Sequence, residues 1–167
     1  MSGGGMIMQD QLLRNHVLHL LKGGEAHLSF DNAIADFPSR LRGAKPPGAA
    51  HTAWQLLEHM RIAQWDILEF SRNPKHLSPD FPSGYWPQTE APPDDAAWNK
   101  SVGAFRGDLA SMQKIVEDTK RDLFARIEHP EAKAAHTLLR EALLVADHNA
   151  YHLGQILLLR RLLGAWK

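Results

Sequence analysis

Residues 137–165 read TLLREALLVADHNAYHLGQILLLRRLLGA and form a long helical pattern. Within it, His148 and His152 are four positions apart, so their imidazoles lie one turn above each other on one helix face. At this spacing one helix can offer two nitrogens to one metal ion. The zinc-protease version of the motif also needs a Glu directly after the first His, but this chain has Asn149 there. The pair therefore suggests a metal site and argues against that protease motif.

The same helix is apolar on more than one face. One stripe comprises Leu139, Ala142, Ala146, Leu153 and Leu157, and the other comprises Leu144, Tyr151, Leu158 and Leu162. A helix that is apolar nearly all round is buried on more than one side. We expect one stripe to pack inside the protein and the other against a second copy, which predicts a homodimer.

Two amphipathic helices are predicted in the first half of the chain. The first spans about Met8 to Phe37 and contains Gly23-Gly24, where we expect either a kink or a close approach to the backbone. The second opens with a capping box over residues 52–55 and ends by Asn73, just before Pro74.

A third helix is predicted to start at Asp94 or Asp95 and to fade near Phe124. A short link through His129-Pro130 then leads to the fourth helix, which has His136 or Thr137 near its cap. The connection over residues 73–93 is long for a compact domain and carries six of the ten prolines, so it is interpreted as a crossover along the protein.

These elements predict an all-α fold, a four-helix bundle in up-down-down-up order with a long crossover between helices 2 and 3. Residues 1–7 are expected to be a flexible Gly-rich tail, and residues 8–167 a single bundle domain. No stretch has the pattern of a strand.

Composition narrows the class of function. The 167 residues include 19 basic and 19 acidic side chains, so no basic surplus points to nucleic acid. The chain has no cysteine, which excludes thiolate ligands and a protein thiol nucleophile, but it has 10 histidines. No charge-free apolar run is long enough for a membrane span. We expect a cytoplasmic protein that acts on a small molecule, with no nucleic-acid or membrane partner.

Facing helices of a bundle can pool metal ligands in the core. His59 borders the apolar stripe of the second helix and is the expected third ligand beside His148 and His152. Three imidazoles leave one open position on tetrahedral zinc, or three on octahedral nickel or iron. Spacing alone leaves open a plain pair of hydrogen-bonded helix histidines, because His16 and His19 are also one turn apart.

Further side chains are candidates for the chemistry. His27, with Asp31 behind it, or Glu58 is predicted as the catalytic acid or base. Gln155, three residues after His152, is placed to orient that imidazole. Three aromatic residues are expected to line the pocket: Trp54, Tyr85 and Trp86.

Three segments together resemble a known family. They are ALLVADHNAYHLGQILLLRRLLGAW over residues 142–166, HTAWQLLEHMRIAQWDILEFSRNP over residues 51–74, and GGEAH over residues 23–27. This combination resembles the DinB/YfiT-like superfamily of metal-dependent enzymes, over nearly the whole chain after the Gly-rich start. The resemblance implies a four-helix bundle, commonly dimeric, with a divalent metal on three histidines that match His59, His148 and His152.

The resemblance also implies a range of activities. The superfamily includes enzymes that use mycothiol or bacillithiol, among them a maleylpyruvate isomerase and S-transferases. Without cysteine in this chain, any thiol must come from a small molecule. The first hypothesis is therefore a thiol-dependent S-transferase or a metal-assisted hydrolase using zinc or nickel, with iron as an alternative. The second is a non-catalytic, stress-linked dimeric module whose metal is structural or absent.

Overall fold

The computed structural model of the chain describes residues 3–166. Within that range no strand forms, and an isolated bridge joins Arg126 to Thr137. No helix in the described range is long and apolar enough to cross a membrane. The five helices are α1 (Gly3–Lys22), α2 (Phe30–Ile34), α3 (Ala53–Arg72), α4 (Asp95–Glu117) and α5 (Leu138–Leu162).

The predicted first helix is in fact two helices. Helix α1 ends at Lys22 because Gly23 and Gly24 have φ values of 64° and 89°, in the left-handed region that terminates a helix. The chain turns and starts again at α2, where the side chain of Ser29 accepts a hydrogen bond from the backbone of Asn32. The expectation of one helix continuing to Phe37 is therefore wrong.

Helix α1 also starts earlier than predicted, at Gly3 instead of about Met8. It includes residues 3–7 of the predicted flexible tail, while residues 1 and 2 lie outside the described range. Each residue added to an existing helix gains one backbone hydrogen bond, so a helix can extend past its packed part. Ile7, the apolar residue just before the predicted helix, is 74% exposed and therefore adds little packing at this position.

The predicted caps of the next helices are confirmed. Thr52 and Gln55 form the capping box of α3, Asp94 caps α4, and Thr137 caps α5. The predicted continuation of the third helix to Phe124 and the short link after it are wrong, since α4 ends at Glu117 and residues 118–137 form a long connection.

The end of α4 is fixed by a residue of α1. The buried guanidinium of Arg14 donates to the carbonyl oxygen of Val116 at 2.7 Å and to that of Arg121 at 2.6 Å. The last carbonyls of a helix have no partner within it, so a buried cation at this place satisfies them. Sequence periodicity carries no sign of such a distant partner.

Two apolar clusters form the core. The first joins α2 to the first halves of α3 and α4 and the second half of α5, with Leu57 and Phe105 fully buried in it. The second joins α1 and residues 123–132 to the opposite halves of the long helices, with Leu68 at its centre. Long helices α3 and α5 therefore pass through both clusters.

A polar pair lies where the two clusters meet. Gln64 donates to the carbonyl oxygen of Phe105 at 2.7 Å, and its own amide oxygen accepts from Asn149 at 2.9 Å. Both side chains are buried, and these bonds pair the amide group of Gln64 and the amide nitrogen of Asn149, whereas the buried Oδ1 of Asn149 has no hydrogen-bond partner. The pair fixes α3 against α5, and the two histidine-bearing helix segments lie directly beside it.

Candidate metal centre

Three imidazoles from two helices come together. His59 is on α3, and His148 and His152 are on α5. Their candidate ligand atoms all lie within 4.8 Å of one another, and no Asp, Glu or further His of the described residues belongs to this group. The Nε2 atoms of His59 and His148 are 3.1 Å apart. These residues, called the three-histidine group below, are brought together as the sequence predicts.

The ring of His59 is held from two directions by the connection between α3 and α4. Its Nδ1 lies 2.9 Å from the carbonyl oxygen of Tyr85. A carbonyl can only accept, so Nδ1 carries the proton and Nε2 keeps its lone pair. Trp86 stacks on the same ring with centroids 3.9 Å apart and parallel planes. Position and tautomer of His59 are therefore both set.

His152 is oriented in the same way by its own helix. Its Nδ1 lies 2.9 Å from the amide oxygen of Gln155, one turn further along α5. The amide oxygen accepts the Nδ1 proton, and Nε2 is again left with a free lone pair. This contact is the one that Gln155 needs in order to orient the imidazole of His152, as the sequence predicts.

His148 lies between these two rings. Its Nε2 is the atom that faces His59, while its Nδ1 is buried and lacks a hydrogen-bond partner. Its ring centroid is 4.5 Å from that of His152. Among the three ligand candidates, His148 is the one whose orientation is set by packing rather than by a hydrogen bond from Nδ1.

The surroundings keep all three imidazoles neutral. Burial, together with the neighbouring imidazoles of His152 and His59, lowers the pKa of His148 to about 3. Burial also lowers the pKa of His59 and of His152, although the hydrogen bonds to Tyr85 and Gln155 oppose it. Neutral imidazole is the form that binds metal ions.

These residues fit a divalent metal ion. Two nitrogens about 2.0 Å from one tetrahedral zinc are roughly 3.3 Å apart, close to the 3.1 Å between Nε2 of His59 and His148. Facing lone pairs at that distance repel unless a proton or a cation lies between them. Since the Nδ1 protons of His59 and His152 are engaged elsewhere, their Nε2 atoms are free to bind a cation.

Both predicted acid–base residues lie outside the three-histidine group. His27 is on an exposed turn between α1 and α2, with Nδ1 2.9 Å from the carbonyl oxygen of Leu28. Glu58 is bound by Arg61 through two bonds of 2.8 Å and borders a cavity against Ser101 of α4. Burial raises the pKa of Glu58, but bonds from Arg61 and Ser101 outweigh this and lower it.

The predicted aromatic lining is partly correct. Trp86 and the backbone of Tyr85 contact His59, whereas Trp54 is buried in the first cluster and donates to Thr89. Sequence reasoning missed His51, whose ring stacks on the other face of Trp86 with centroids 3.9 Å apart. The order His51, Trp86, His59 joins the N-terminal part of α3, with the residues just before it, to the connection between α3 and α4, and only the abundance of aromatic residues in that connection indicated it.

Comparison with curated proteins and with solved structures returned no match. Comparison with family models gave one over residues 26–156, described as the DinB superfamily. The matched range contains His59, His148 and His152 and covers most of the chain. By this match the chain belongs to the DinB superfamily.

Proposed function

We propose that the chain is a metal-dependent enzyme in which His59, His148 and His152 hold one divalent ion. The observation that carries the proposal is the convergence of three neutral imidazoles, two of them with Nδ1 bound to a carbonyl-type oxygen. The absence of a carboxylate from the group favours zinc or nickel, with iron as an alternative. Three ligands leave coordination positions for a reactant.

The proposed reaction class is transfer to a low-molecular-weight thiol, with hydrolysis as the close alternative. An ion bound there would act as a Lewis acid and would lower the pKa of a thiol or of water. The chain's own contribution is to fix the imidazoles through Tyr85 and Gln155 and to shield one side with Trp86. Because this chain has no cysteine, a thiol nucleophile would have to come from a small molecule.

Metal analysis and a substrate screen test this function. Purified protein, loaded separately with zinc, nickel or iron, is incubated with a chromogenic electrophile and mycothiol, bacillithiol or glutathione in turn. A parallel set with chromogenic esters and no thiol tests hydrolysis. We expect one ion per three-histidine group and a turnover that requires both the metal and one thiol.

The matched control removes an imidazole elsewhere. His59→Ala is compared with His16→Ala, which changes an exposed side chain of α1 outside the three-histidine group. Loss of metal and turnover in His59→Ala alone, with the helical signal retained in both, supports the proposal. Stoichiometric metal in His59→Ala, or unfolding when the metal is removed, contradicts an open catalytic site and favours a structural ion.

A second candidate is a non-catalytic dimeric module, and one surface favours dimerisation in either case. Of the predicted outer stripe of α5, Tyr151, Leu158 and Leu162 are exposed and Leu144 is half-buried, while its neighbour Leu143 is exposed. An exposed apolar stripe of this kind is typical of an interface. We propose a homodimer through the part of this face around Leu143 and Tyr151, which leaves Leu158 and Leu162 accessible, and light scattering of Leu143→Lys against the unchanged protein tests it. A monomer for both proteins at micromolar concentration contradicts the dimer.

We also propose the up-down-down-up order of the long helices. The start of α3 contacts the start of α4 through Trp54 and Trp98, whereas Arg14 of α1 reaches the end of α4. Parallel α3 and α4 require residues 73–94 to run back along the bundle, as the predicted crossover does. A cytoplasmic location remains part of the same proposal and rests on the sequence alone.

A further inference from the structure

One apolar cavity is lined by residues that connect to the three-histidine group. It has a volume of about 290 Å³ and lies between residues 47–51 and the last turns of α5, where Leu158 and Leu162 line it. We call it the leucine groove. This volume is at the lower end for small-molecule sites, which are mostly apolar with a few polar groups.

Two lining residues connect the leucine groove to the metal ligands. Gln155 forms part of its wall and also accepts the Nδ1 proton of His152. His51 forms another part and stacks on Trp86, whose opposite face covers His59. A molecule in the groove therefore lies one side chain away from His152, through Gln155, and two side chains away from His59, through His51 and Trp86.

The lining favours an uncharged occupant. None of the residues around the leucine groove is Asp, Glu, Lys or Arg. Its imidazole, His51, has a lowered pKa because of burial and the nearby charge of Lys45, so it is neutral near pH 7. Larger cavities of about 580 and 360 Å³ elsewhere are lined by charged residues and contain neither Gln155 nor His51.

We propose that the leucine groove binds the uncharged apolar tail of the small molecule whose reactive head reaches the three-histidine group. Binding of the reactive head at the three-histidine group rests on the proposed function, whereas binding of the tail in the leucine groove does not. The proposal assigns the substrate class as a neutral compound with an aliphatic or aromatic extension. The walls of Leu158, Leu162 and Leu56 supply the contact, and Gln155 and His51 supply the polar boundary.

A series of hydroxamic acids, from acetohydroxamate to octanohydroxamate, tests the proposal on zinc-loaded protein by titration calorimetry. The head binds zinc in every member, and only the tail changes. Burial of each methylene is expected to increase affinity by roughly fourfold until the groove is filled. In Leu158→Asp, which places a carboxylate on the wall, affinity should depend little on chain length while acetohydroxamate still binds.

The matched control is Leu12→Asp on α1, since Leu12 is 51% exposed and Leu158 57%. It should keep the dependence on chain length seen in the unchanged protein. Equal dependence in Leu158→Asp and the unchanged protein overturns the proposal, as does acetohydroxamate binding with no gain from longer tails. If the dimer dissociates in Leu158→Asp while affinity still increases with chain length, Leu158 contacts a second copy of the chain and not the ligand. That result also overturns the proposal.

Metal-free protein separates this inference from the proposed function. The neutral dye N-phenyl-1-naphthylamine gains fluorescence in apolar sites and needs no ion. We expect saturable binding that is at least about fivefold weaker in Leu158→Asp and unchanged in Leu12→Asp. Absence of saturable binding overturns the groove even if the metal centre is active, and binding without any metal affinity leaves the groove standing while the proposed function fails.

Discussion

The bundle contains two groups of buried histidines, and they differ in how their ring nitrogens are used. In the group formed by Asp66, His76 and His129, protein atoms satisfy the rings. His129 Nε2 lies 2.9 Å from the carbonyl oxygen of His76, and its Nδ1 accepts from the backbone of Glu131 at 3.2 Å. His76 Nε2 lies 2.8 Å from the carboxylate of Asp66. We call this set the paired histidines.

In the three-histidine group, by contrast, the candidate ligand nitrogens lie close to one another, and Nε2 of His59 faces Nε2 of His148 at 3.1 Å. The Nδ1 atoms of His59 and His152 are bound, so their tautomers are fixed with the lone pairs directed inward. His76 and His129 are both buried, whereas His59 and His148 are half-buried, so neither burial nor the number of histidines marks the functional group. The distinguishing feature is that ring nitrogens from three residues lie close enough together to bind one shared ion.

The largest effect should come from removing one imidazole from each group. His148→Ala should reduce bound metal from about one ion per chain to below about a tenth, because only two ligands remain. His129→Ala should leave the metal in place and lower the free energy of unfolding by roughly 1–3 kcal/mol. Elemental analysis and thermal unfolding measure the two quantities. Equal metal loss in both variants would remove the distinction.

Substitution of Asp66 tests more directly how much the paired histidines contribute to the stability of the protein. The carboxylate of Asp66 accepts from His76 and, at 2.6 Å, from the hydroxyl of Tyr85, so Asp66→Ala leaves one buried and one half-buried donor without their partner. We expect a loss of roughly 3 kcal/mol in the free energy of unfolding, with metal stoichiometry retained at saturation. Tyr85→Phe removes one of these bonds. Denaturant titration should show that it lowers the free energy of unfolding by less than half as much as Asp66→Ala does. A larger cost for Tyr85→Phe would contradict the central role of Asp66.

Metal-free protein should lose stability on acidification. His148 has a pKa of about 3 when folded and roughly 6.5 when unfolded, so between these values the unfolded chain binds more protons. Lowering the pH from about 7.5 to 5 should therefore cost roughly 2 kcal/mol from this residue alone. Unfolding of the chelator-treated protein across this range measures it. His148→Asn should show a shallower decline, and an identical decline would assign the effect to other groups.

The smallest effect expected is on metal affinity through Gln155. Gln155→Ala removes the acceptor for Nδ1 of His152, and loss of such a partner typically weakens metal binding by about tenfold. Competition with a zinc chelator gives the affinity, and Gln11→Ala on the exposed face of α1 is the matched control. An unchanged affinity would mean that packing alone orients His152.

Sequence patterns were sufficient for the parts of the protein governed by local chemistry. The capping box at Thr52 and the caps at Asp94 and Thr137 follow from side chains that bond their own helix, and they are present. The pair His148 and His152 follows from helix geometry in the same way. His59 needed only the stripe of α3 and the general tendency of bundles to place ligands in the core.

Features that depend on distant partners were not accessible in this way. The early end of α4 is fixed by Arg14, about one hundred residues earlier in the chain. The partner of His59 is the backbone carbonyl of Tyr85, a group that every residue possesses and that sequence cannot distinguish. The sequence pattern places His27 on an apolar stripe, but position on a stripe does not determine which neighbouring helix a side chain faces.

Because Trp86 stacks between His51 and His59, its fluorescence is an intrinsic reporter of the state of the metal centre. Indole emission responds to the charge state and electron demand of rings in face-to-face contact, and both change when His59 acquires a cation. Subtracting the spectrum of Trp86→Phe isolates this signal from those of the other tryptophans. Occupancy of the centre can thus be followed in real time, without a label and before any substrate is known.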